Sequence, residues 1–281
     1  MAEKNIQLED VKNFVNVKDM LPRLRDNNMT TSDSVCELID NAFDANAKNI
    51  WIDFGVDKAT DKTWLTIQDD GNGIARNNIR RALSLGGTMN ERYSVKIGRF
   101  GMGLSNACAA QSSSSILASK TKDDTKIWVN EIDFAYLLAH NAEFKETWEL
   151  KAPSIISKIK FKESGTIACW KVCDNLDKKK PATLYGHLME TVSRIYRYFL
   201  NSGRSIYIND TKVELYDPLC RLENHRFKKE LGVQRVYGKP VIIPVKYTGD
   251  DGVEKTSNVV AEIVRLDYIK IQEKPDLKAK L

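Results

Sequence analysis

The sequence predicts an α/β fold with one substantial core. Two patterns predict it: apolar residues recur at helical spacing from Val35 to Phe43, and they alternate as in a strand from Ile50 to Val56. The chain has 281 residues, 42% of them hydrophobic, which is enough for one large domain with a smaller second one. We expect an N-terminal arm at residues 1–30, the main domain at 31–220, and at 221–281 the start of a second, partly β domain or a C-terminal extension.

Charge and cysteine content exclude few classes of protein. The net charge of +5 permits a nucleic-acid contact but does not argue for one. The five cysteines are scattered and odd in number, so they predict no disulfide framework, and Cys169 and Cys173 lack the second pair of a zinc site. The N-terminus has no apolar signal core and no run is long enough to cross a bilayer, so we expect a cytoplasmic protein without a membrane contact.

The first motif is a helix that begins after the cluster Thr30-Thr-Ser-Asp33, whose side chains suit a helix start. A core-facing stripe follows, formed by Val35, Leu38, Ile39, Ala42 and Phe43. Polar residues recur at steps of four, three and four on the opposite face, namely Glu37, Asn41, Asp44 and Lys48. Such a face is usually solvated, so this helix alone does not define a site.

The second motif follows a predicted strand at Trp64–Gln68. The sequence there is Asp69-Asp70-Gly-Asn-Gly73, and its glycines let a ligand approach the backbone closely. We assign Asp70 the role of accepting a hydrogen bond from an exocyclic amine such as that of adenine, which would favour ATP over GTP. The alternative is a plain tight turn, because Asp-Gly and Asn-Gly are common turn dipeptides.

The third motif is the glycine turn Gly98-Arg-Phe-Gly101-Met-Gly103, which opens a helix that reaches about Ala110. Backbone N–H groups at a helix start face anions, and glycines let phosphate come close. It is not a Walker loop, because no Gly-Lys-Ser/Thr follows. A short helix at 77–85 and a polar stretch to Ile97 precede the turn, and a long loop of that kind is usually functional.

The remaining pattern is sheet, then helix, then hairpins. Strands are predicted at 115–119, 126–132, 165–172, 205–208, 212–215, 241–247 and 258–265, with helices at 134–140 and from Pro181 to Phe199.

Together the motifs suit a magnesium nucleotide. Magnesium takes most of its oxygen ligands from phosphate and water, so one amide oxygen, from Asn41, suffices as a protein ligand. Glu37, one turn earlier, is placed to take a proton from a water that attacks the terminal phosphate. ATP binding with hydrolysis is therefore the leading interpretation.

The order of these motifs resembles the GHKL ATPase superfamily, which groups DNA gyrase, the ninety-kilodalton heat-shock chaperones, histidine kinases and MutL. The likeness is close from Ser32 to Ser119 and looser to Asp217, through the pair Gly165-Thr166. The segments 37–45 and 97–104 are most similar to the chaperone, MutL and MORC branches. The resemblance implies a two-layer α/β sandwich with a mixed, mostly antiparallel sheet and helices on one face.

The resemblance also implies roles for particular residues. Glu37 would be the general base and Asn41 the Mg²⁺ ligand, with Asp44 and Lys48 near the nucleotide. Asp70 would bind the adenine amine, which Thr166 supports through its hydroxyl and a water. Residues 75–97 would form a lid over ATP, and closure would drive ATP-dependent homodimerisation. The positions implied to line the base or close over the phosphates are Gly73, Ile74, Gly98, Arg99, Phe100, Gly101, Met102, Gly103 and Leu104.

Two other interpretations remain open. In the first, the site holds ATP as a switch for a client protein or DNA with negligible turnover, since no lysine can be assigned to the terminal phosphate; Lys239, Lys246 and Lys255 are only candidates. In the second, the motifs are turns and a solvated helix face in a purely structural domain. A nucleotide-dependent change in oligomeric state without phosphate release would favour the switch over the ATPase.

Overall fold

We analysed a computed structural model of the chain, which describes residues 17–87, 102–151, 158–249 and 252–274. The helices are α1 (Val17–Arg25), α2 (Thr31–Asp44), α3 (Ile79–Leu83), α4 (Gly103–Gln111), α5 (Phe134–Ala139), α6 (Pro181–Ile195), α7 (Arg197–Asn201), α8 (Lys228–Leu231) and α9 (Tyr268–Gln272), and a 3₁₀ turn at Arg76–Asn78 precedes α3. None of the described helices is both long enough and apolar enough to traverse a bilayer.

The main domain is built on one eight-stranded sheet. Its strands are β1 (Asn49–Asp57), β2 (Lys62–Asp69), β3 (Ser114–Lys120), β4 (Trp128–Asp133), β5 (Trp148–Glu149), β6 (Gly165–Trp170), β7 (Ser205–Ile208) and β8 (Thr211–Lys212). Their order is β5-β4-β3-β6-β2-β1-β7-β8, and only the β1–β7 pair is parallel. This mixed, mostly antiparallel sheet confirms the predicted fold class.

The helices cover one face of the sheet and form the main core there. Ile67, Ala168 and Leu117 lie opposite one another on β2, β6 and β3, and all three belong to this core. The same core contains Ile39 of α2 and Leu188 of α6. The two layers expected from the sequence are therefore present, because the alternating strands supply one apolar face to amphipathic helices.

The second face of the sheet is covered by the segment that leads into β6. Phe161 packs there against Ile116 and Ile167 in a smaller core. The buried side-chain amide of Gln68 hydrogen-bonds the backbone of this segment at two points. Its Nε2 donates to the carbonyl of Lys158 at 2.9 Å, and its Oε1 accepts from the Lys160 N–H at 3.1 Å. The start of β6, with Thr166, is thereby fixed beside the end of β2.

The C-terminal part contains a separate hairpin of β9 (Val241–Thr248) and β10 (Glu254–Ala261), exposed along its whole length. We predicted its second strand at 258–265, which is wrong by four residues. The N–H of Gly249 donates to the carbonyl of Val253 at 2.9 Å, and this tight turn brings Glu254 opposite Thr248. Turn geometry sets the register of a hairpin, and the apolar pattern of the second strand did not reveal it.

Two other predicted elements extend three or four residues past the ends that the structure shows. The helix predicted from Pro181 to Phe199 is broken at Tyr196, whose hydroxyl hydrogen-bonds at 2.8 Å to Asp40 and at 2.9 Å to the carbonyl of Cys36. The strand predicted at 212–215 pairs only over Thr211–Lys212. The two-residue strand β5 was not predicted, because so short an edge strand has no period to detect.

Candidate functional site

The α2 helix forms as the sequence predicts. Thr30 caps it, because its hydroxyl accepts from the Asp33 N–H while the Asp33 carboxylate accepts from the Thr30 N–H. All five residues of the predicted stripe are buried. The opposite face is not simply solvated, since Glu37 and Asn41 are half-buried where α2 meets α4.

Glu37 points at the first residue of α4. A Cβ added to Gly103 would lie only 2.2 Å from the Glu37 Oε2, so no side chain fits there while this carboxylate keeps its position. Burial raises the pKa of Glu37 above its ordinary value, and the neighbouring carboxylates Asp40 and Asp33 raise it further. The structure therefore brings together a carboxylate of raised basicity and the start of the helix that follows the glycine turn.

Asn41 carries a polar atom without a partner. Its Nδ2 is buried and makes no hydrogen bond within the described structure. The nitrogen and oxygen of a side-chain amide are assigned from such bonds, so this end of the amide is free for a ligand in either orientation. Asn106 of α4 likewise has a buried Oδ1 without a hydrogen-bond partner. Unpaired buried amides are costly, which fits a site that a ligand or ion completes.

The Asn41 environment also bears on the predicted magnesium. Within the described ranges, no group of three or more His, Cys, Asp or Glu side chains is placed to hold a metal ion. Mg²⁺ held between phosphates and water needs only one or two protein oxygens, so a single amide at Asn41 fits such an ion.

Asp70 has a different environment from the one we predicted. Its carboxylate accepts hydrogen bonds from the backbone N–H groups of Lys48 and Asn49, both at 2.8 Å, and from the side-chain amide of Asn49 at 2.7 Å. The N–H of Asn72 donates to the carbonyl of Ala45 at 2.8 Å. Asp70 therefore fastens the turn after β2 to the loop after α2.

Asp69, which we did not predict, is the buried carboxylate of this turn. Its side chain is 7% exposed, and its Oδ1 accepts from the Gly71 N–H at 2.8 Å. Burial raises the pKa of Asp69 to about 7, against the opposing effect of the Gly71 and Thr166 N–H groups. A signal existed in the sequence: Asp69 is two residues after Ile67 and four after Leu65, and so continues the buried face of the strand.

Asp69 belongs to a polar row at one end of the sheet. Thr166 lies opposite it on β6, and Ser119 lies opposite Thr166 on β3. The two hydroxyls are 3.0 Å apart, and the Ser119 Oγ also accepts from the Ile74 N–H at 2.8 Å. Gly73 adopts φ +72°, and a Cβ there would lie 2.0 Å from the carbonyl of Lys120, so only glycine fits this turn.

The structure thus groups the predicted residues into two sets. Gly73, Ile74 and Thr166 lie together around Asp69, and Glu37, Asn41 and Gly103 lie together at the α2–α4 contact. Lys48 is exposed and Asp44 is half-buried at the end of α2. Met102 is exposed, whereas Leu104 packs against the main core. Gly98, Arg99, Phe100 and Gly101, together with residues 88–97 of the predicted lid, lie outside the described residues.

The comparisons with known proteins cover the same part of the chain. Residues 29–166 match the family described as Histidine kinase-, DNA gyrase B-, and HSP90-like ATPase. That segment spans every motif discussed above, and over it the chain matches the GHKL ATPase superfamily.

Two relatives are MORC proteins. ATPase morc-1 of Caenorhabditis elegans is 41% identical over 71 residues, and MORC family CW-type zinc finger protein 3 of Mus musculus is 43% identical over 76 residues. Each match covers 25% of this chain and 8% of the relative, so the chain spans a small part of these proteins' length. Within the superfamily, this chain is thus similar to the MORC branch.

Proposed function

We propose that this chain binds ATP with Mg²⁺ and hydrolyses it. The observation that carries the proposal is the position of the Glu37 carboxylate. Its Oε2 lies only 2.2 Å from the place that a Cβ on Gly103, the first residue of α4, would occupy. A helix start of this kind attracts phosphate, and a carboxylate there repels it unless a cation or a reacting water lies between them. That combination is suited to phosphoryl transfer to water.

Base recognition is proposed for Asp69 in place of Asp70. The Asp70 carboxylate is engaged by three hydrogen bonds from the chain itself, whereas Asp69 lies buried beside Thr166 and the glycine turn. A buried carboxylate that accepts from an exocyclic amine rejects a base that carries a carbonyl there. Adenine has the amine and guanine the carbonyl, so this site supports ATP over GTP.

The hydrolytic step rests on this chain's own groups. Glu37 would orient a water and accept its proton, while the N–H groups at the start of α4 face the phosphates. Asn41 would supply an oxygen to Mg²⁺. When bound, the ion would neutralise phosphate charge.

Lid closure and dimerisation complete the proposal. Residues 75–97 would cover the nucleotide, with 98–104 closing on the phosphates, and closure would join two copies. The described start of this region supports an anchored lid, because Ile79 and Leu83 of α3 are fully buried in the core. A client protein or DNA would be acted on by this ATP-gated dimer.

A second candidate is a nucleotide switch with little turnover. It is favoured by the positions of the candidate lysines. Lys246 is exposed on the hairpin and pairs with Glu254 at 3.2 Å. Lys255 lies on the adjacent strand of the same exposed hairpin. No lysine in the described ranges is assigned to the terminal phosphate, so phosphate release by this chain alone would be slow.

The test is a paired measurement of binding and turnover. Titration calorimetry with Mg-ATP and Mg-GTP should show saturable binding of ATP and weaker binding of GTP. Phosphate release should fall by a factor of roughly 10² or more in Glu37→Gln with binding retained. Glu143→Gln removes an exposed carboxylate after α5 and is the matched control, with turnover unchanged.

The outcomes separate the two candidates. Binding with equal, negligible phosphate release in wild type and Glu37→Gln would favour the switch. Absence of saturable ATP binding by the wild type would overturn both. Light scattering with and without a non-hydrolysable ATP analogue would then test dimerisation independently of turnover.

A further inference from the structure

The break between α6 and α7 places one buried hydroxyl against the helix that carries Glu37. Tyr196 separates the two helices, which end at Ile195 and begin at Arg197. Its side chain is only 2% exposed, and its ring packs edge-to-face on Phe43 of α2, with the ring centres 5.5 Å apart. A buried aromatic pair of this geometry fixes the ring, so the direction of the hydroxyl is fixed as well.

The hydroxyl of Tyr196 contacts α2 at two points. Its oxygen lies 2.9 Å from the carbonyl oxygen of Cys36 and 2.8 Å from the Asp40 Oδ1. A hydroxyl has one proton to donate, so it lies between two acceptors of the same helix. A carboxylate is the stronger acceptor of the two when it carries its charge. Tyr196 therefore ties the α6–α7 break to one turn of α2.

That turn of α2 is the one that carries Glu37. Cys36 precedes Glu37 in the chain, and Asp40 follows it by three residues. In a helix the carbonyl of Cys36 also bonds the N–H four residues further on, so a second donor tilts that carbonyl outward and sets the local direction of the helix axis. Without the Tyr196 hydroxyl, the turn with Glu37 would be free to shift.

A small shift of this turn matters because the Glu37 carboxylate has a confined position. A Cβ on Gly103 of α4 would lie 2.2 Å from its Oε2. Glu37 and Asp40 are three positions apart on α2, so their side chains are neighbours and two negative charges there repel each other. The Tyr196 hydroxyl engages the Asp40 carboxylate and keeps that charge in a defined place beside Glu37.

We propose that Tyr196 is a positioning residue for ATP hydrolysis, whose hydroxyl fixes the turn of α2 that carries Glu37. The inference rests on the function proposed above, in which Glu37 accepts the proton of the attacking water. Asp69, which is proposed to recognise the base, lies on β2 opposite Thr166 of β6 and not on α2. Loss of the Tyr196 hydroxyl should therefore slow the chemical step and leave nucleotide binding intact.

The test is Tyr196→Phe, which removes the hydroxyl and keeps the ring in the core. Phosphate release at a series of Mg-ATP concentrations gives kcat and KM, and titration calorimetry gives the ATP affinity. We expect kcat to fall roughly tenfold, because the general base is misplaced, with KM and the affinity within about twofold of wild type. An unchanged kcat would overturn the proposal, as would a loss of affinity equal to the loss of kcat.

Two control variants separate positioning from a general loss of stability. Val192 is buried on α6 one turn before Tyr196, so Val192→Ala should lower the urea midpoint through a cavity in the same core without removing the hydroxyl. Tyr198→Phe removes a hydroxyl from α7, where the side chain is 62% exposed. We expect both variants to keep kcat within about twofold of wild type. A loss of kcat in Val192→Ala as large as in Tyr196→Phe would overturn the proposal.

Asp40→Ala tests the same hydrogen bond from the α2 side and leaves the Tyr196 ring in place. Its kcat should fall as well, which keeps the proposal testable if Tyr196→Phe does not fold. Because the two residues act through one contact, the double variant should be no slower than the slower single variant. Losses of kcat that multiply fully in the double variant, or an Asp40→Ala variant as fast as wild type, would contradict the proposal.

Glu37→Gln in the same assay distinguishes failure of this inference from failure of the proposed function. If Glu37→Gln loses turnover and Tyr196→Phe does not, only the positioning role is overturned and the ATPase remains. If the wild type releases no phosphate, or Glu37→Gln is as fast as wild type, the proposed hydrolysis fails and the role of Tyr196 fails with it.

Discussion

The carboxylate of Asp70 holds Asn49 at two points, its backbone N–H at 2.8 Å and its side-chain amide at 2.7 Å. With the third bond from the Lys48 N–H, it joins the turn after β2 to the start of β1. Asp70→Ala should lower the free energy of unfolding by about 2 kcal/mol, because partly buried donors lose a charged acceptor. Urea denaturation measures this. An unchanged midpoint would show that these bonds are not structural.

Asp69→Asn should affect nucleotide binding rather than folding. The variant keeps the size of the side chain but replaces one acceptor oxygen with a donor that faces the proposed adenine amine. We expect ATP affinity to fall at least tenfold, the order of one mispaired buried hydrogen bond, with the protein still folded. Calorimetry on Asp69→Asn and on Asp70→Asn compares the two acids. Greater loss in the Asp70 variant would return base recognition to Asp70.

The stability of the fold should also depend on the protonation of Asp69. Burial raises its pKa from 3.8 to about 7, so between these values the folded chain holds a proton that the unfolded chain releases. The stabilising contribution is fully present below about pH 4 and is lost as the pH rises through about 7. Relative to Asp69→Asn, the wild type should lose up to about 4 kcal/mol over that interval. Denaturation of both proteins at pH 5 and pH 8 would reveal the difference, and parallel pH curves would contradict it.

Gly103→Ala should separate folding from turnover. Alanine is the better helix former, but its Cβ would lie 2.2 Å from the Glu37 Oε2 and must displace that carboxylate. We expect little change in stability and a fall in phosphate release of about 10², the usual cost of a misplaced catalytic group. Gly186→Ala is the control, since a Cβ in that α6 position meets nothing within 4 Å. Equal turnover in both variants would remove the role proposed for Glu37.

The pH dependence of turnover should report the surroundings of Glu37. Its pKa is raised by burial first and then by Asp40 and Asp33, so the acid limb of the rate profile should lie above the ordinary value of 4.5. Asp40→Asn removes one of these negative charges while keeping an acceptor for the Tyr196 hydroxyl. The limb should therefore move to lower pH. Rates of phosphate release measured from pH 4 to 8 test this. An acid limb at the same pH in wild type and Asp40→Asn would assign that limb to a group other than Glu37.

The sequence predicted the features that local periodicity controls, but it did not predict those set by contacts between residues far apart in the chain. The stripe of α2 and the alternation of β1 and β2 are local, so the helix and both strands were found. The role predicted for Asp70 depends on which of two adjacent acids turns inward, and the structure buries Asp69 opposite Thr166 of β6, which is why we propose base recognition for Asp69. Tyr196 ends α6 through contacts with Cys36 and Asp40, 160 and 156 residues away in sequence, which no local pattern contains.

The parallel pairing of β1 with β7 determines when the large sheet can be completed during synthesis. The N–H of Phe54 donates to the Asn209 Oδ1 at 3.0 Å across 155 residues of chain. As the chain leaves the ribosome, β1 has an open edge until β7 emerges, and the sheet cannot close before then. Such high contact order slows folding and leaves a nascent edge strand open to wrong partners. During translation, the sheet formed by the earlier strands therefore remains incomplete until the hairpin of β7 and β8 has been synthesised.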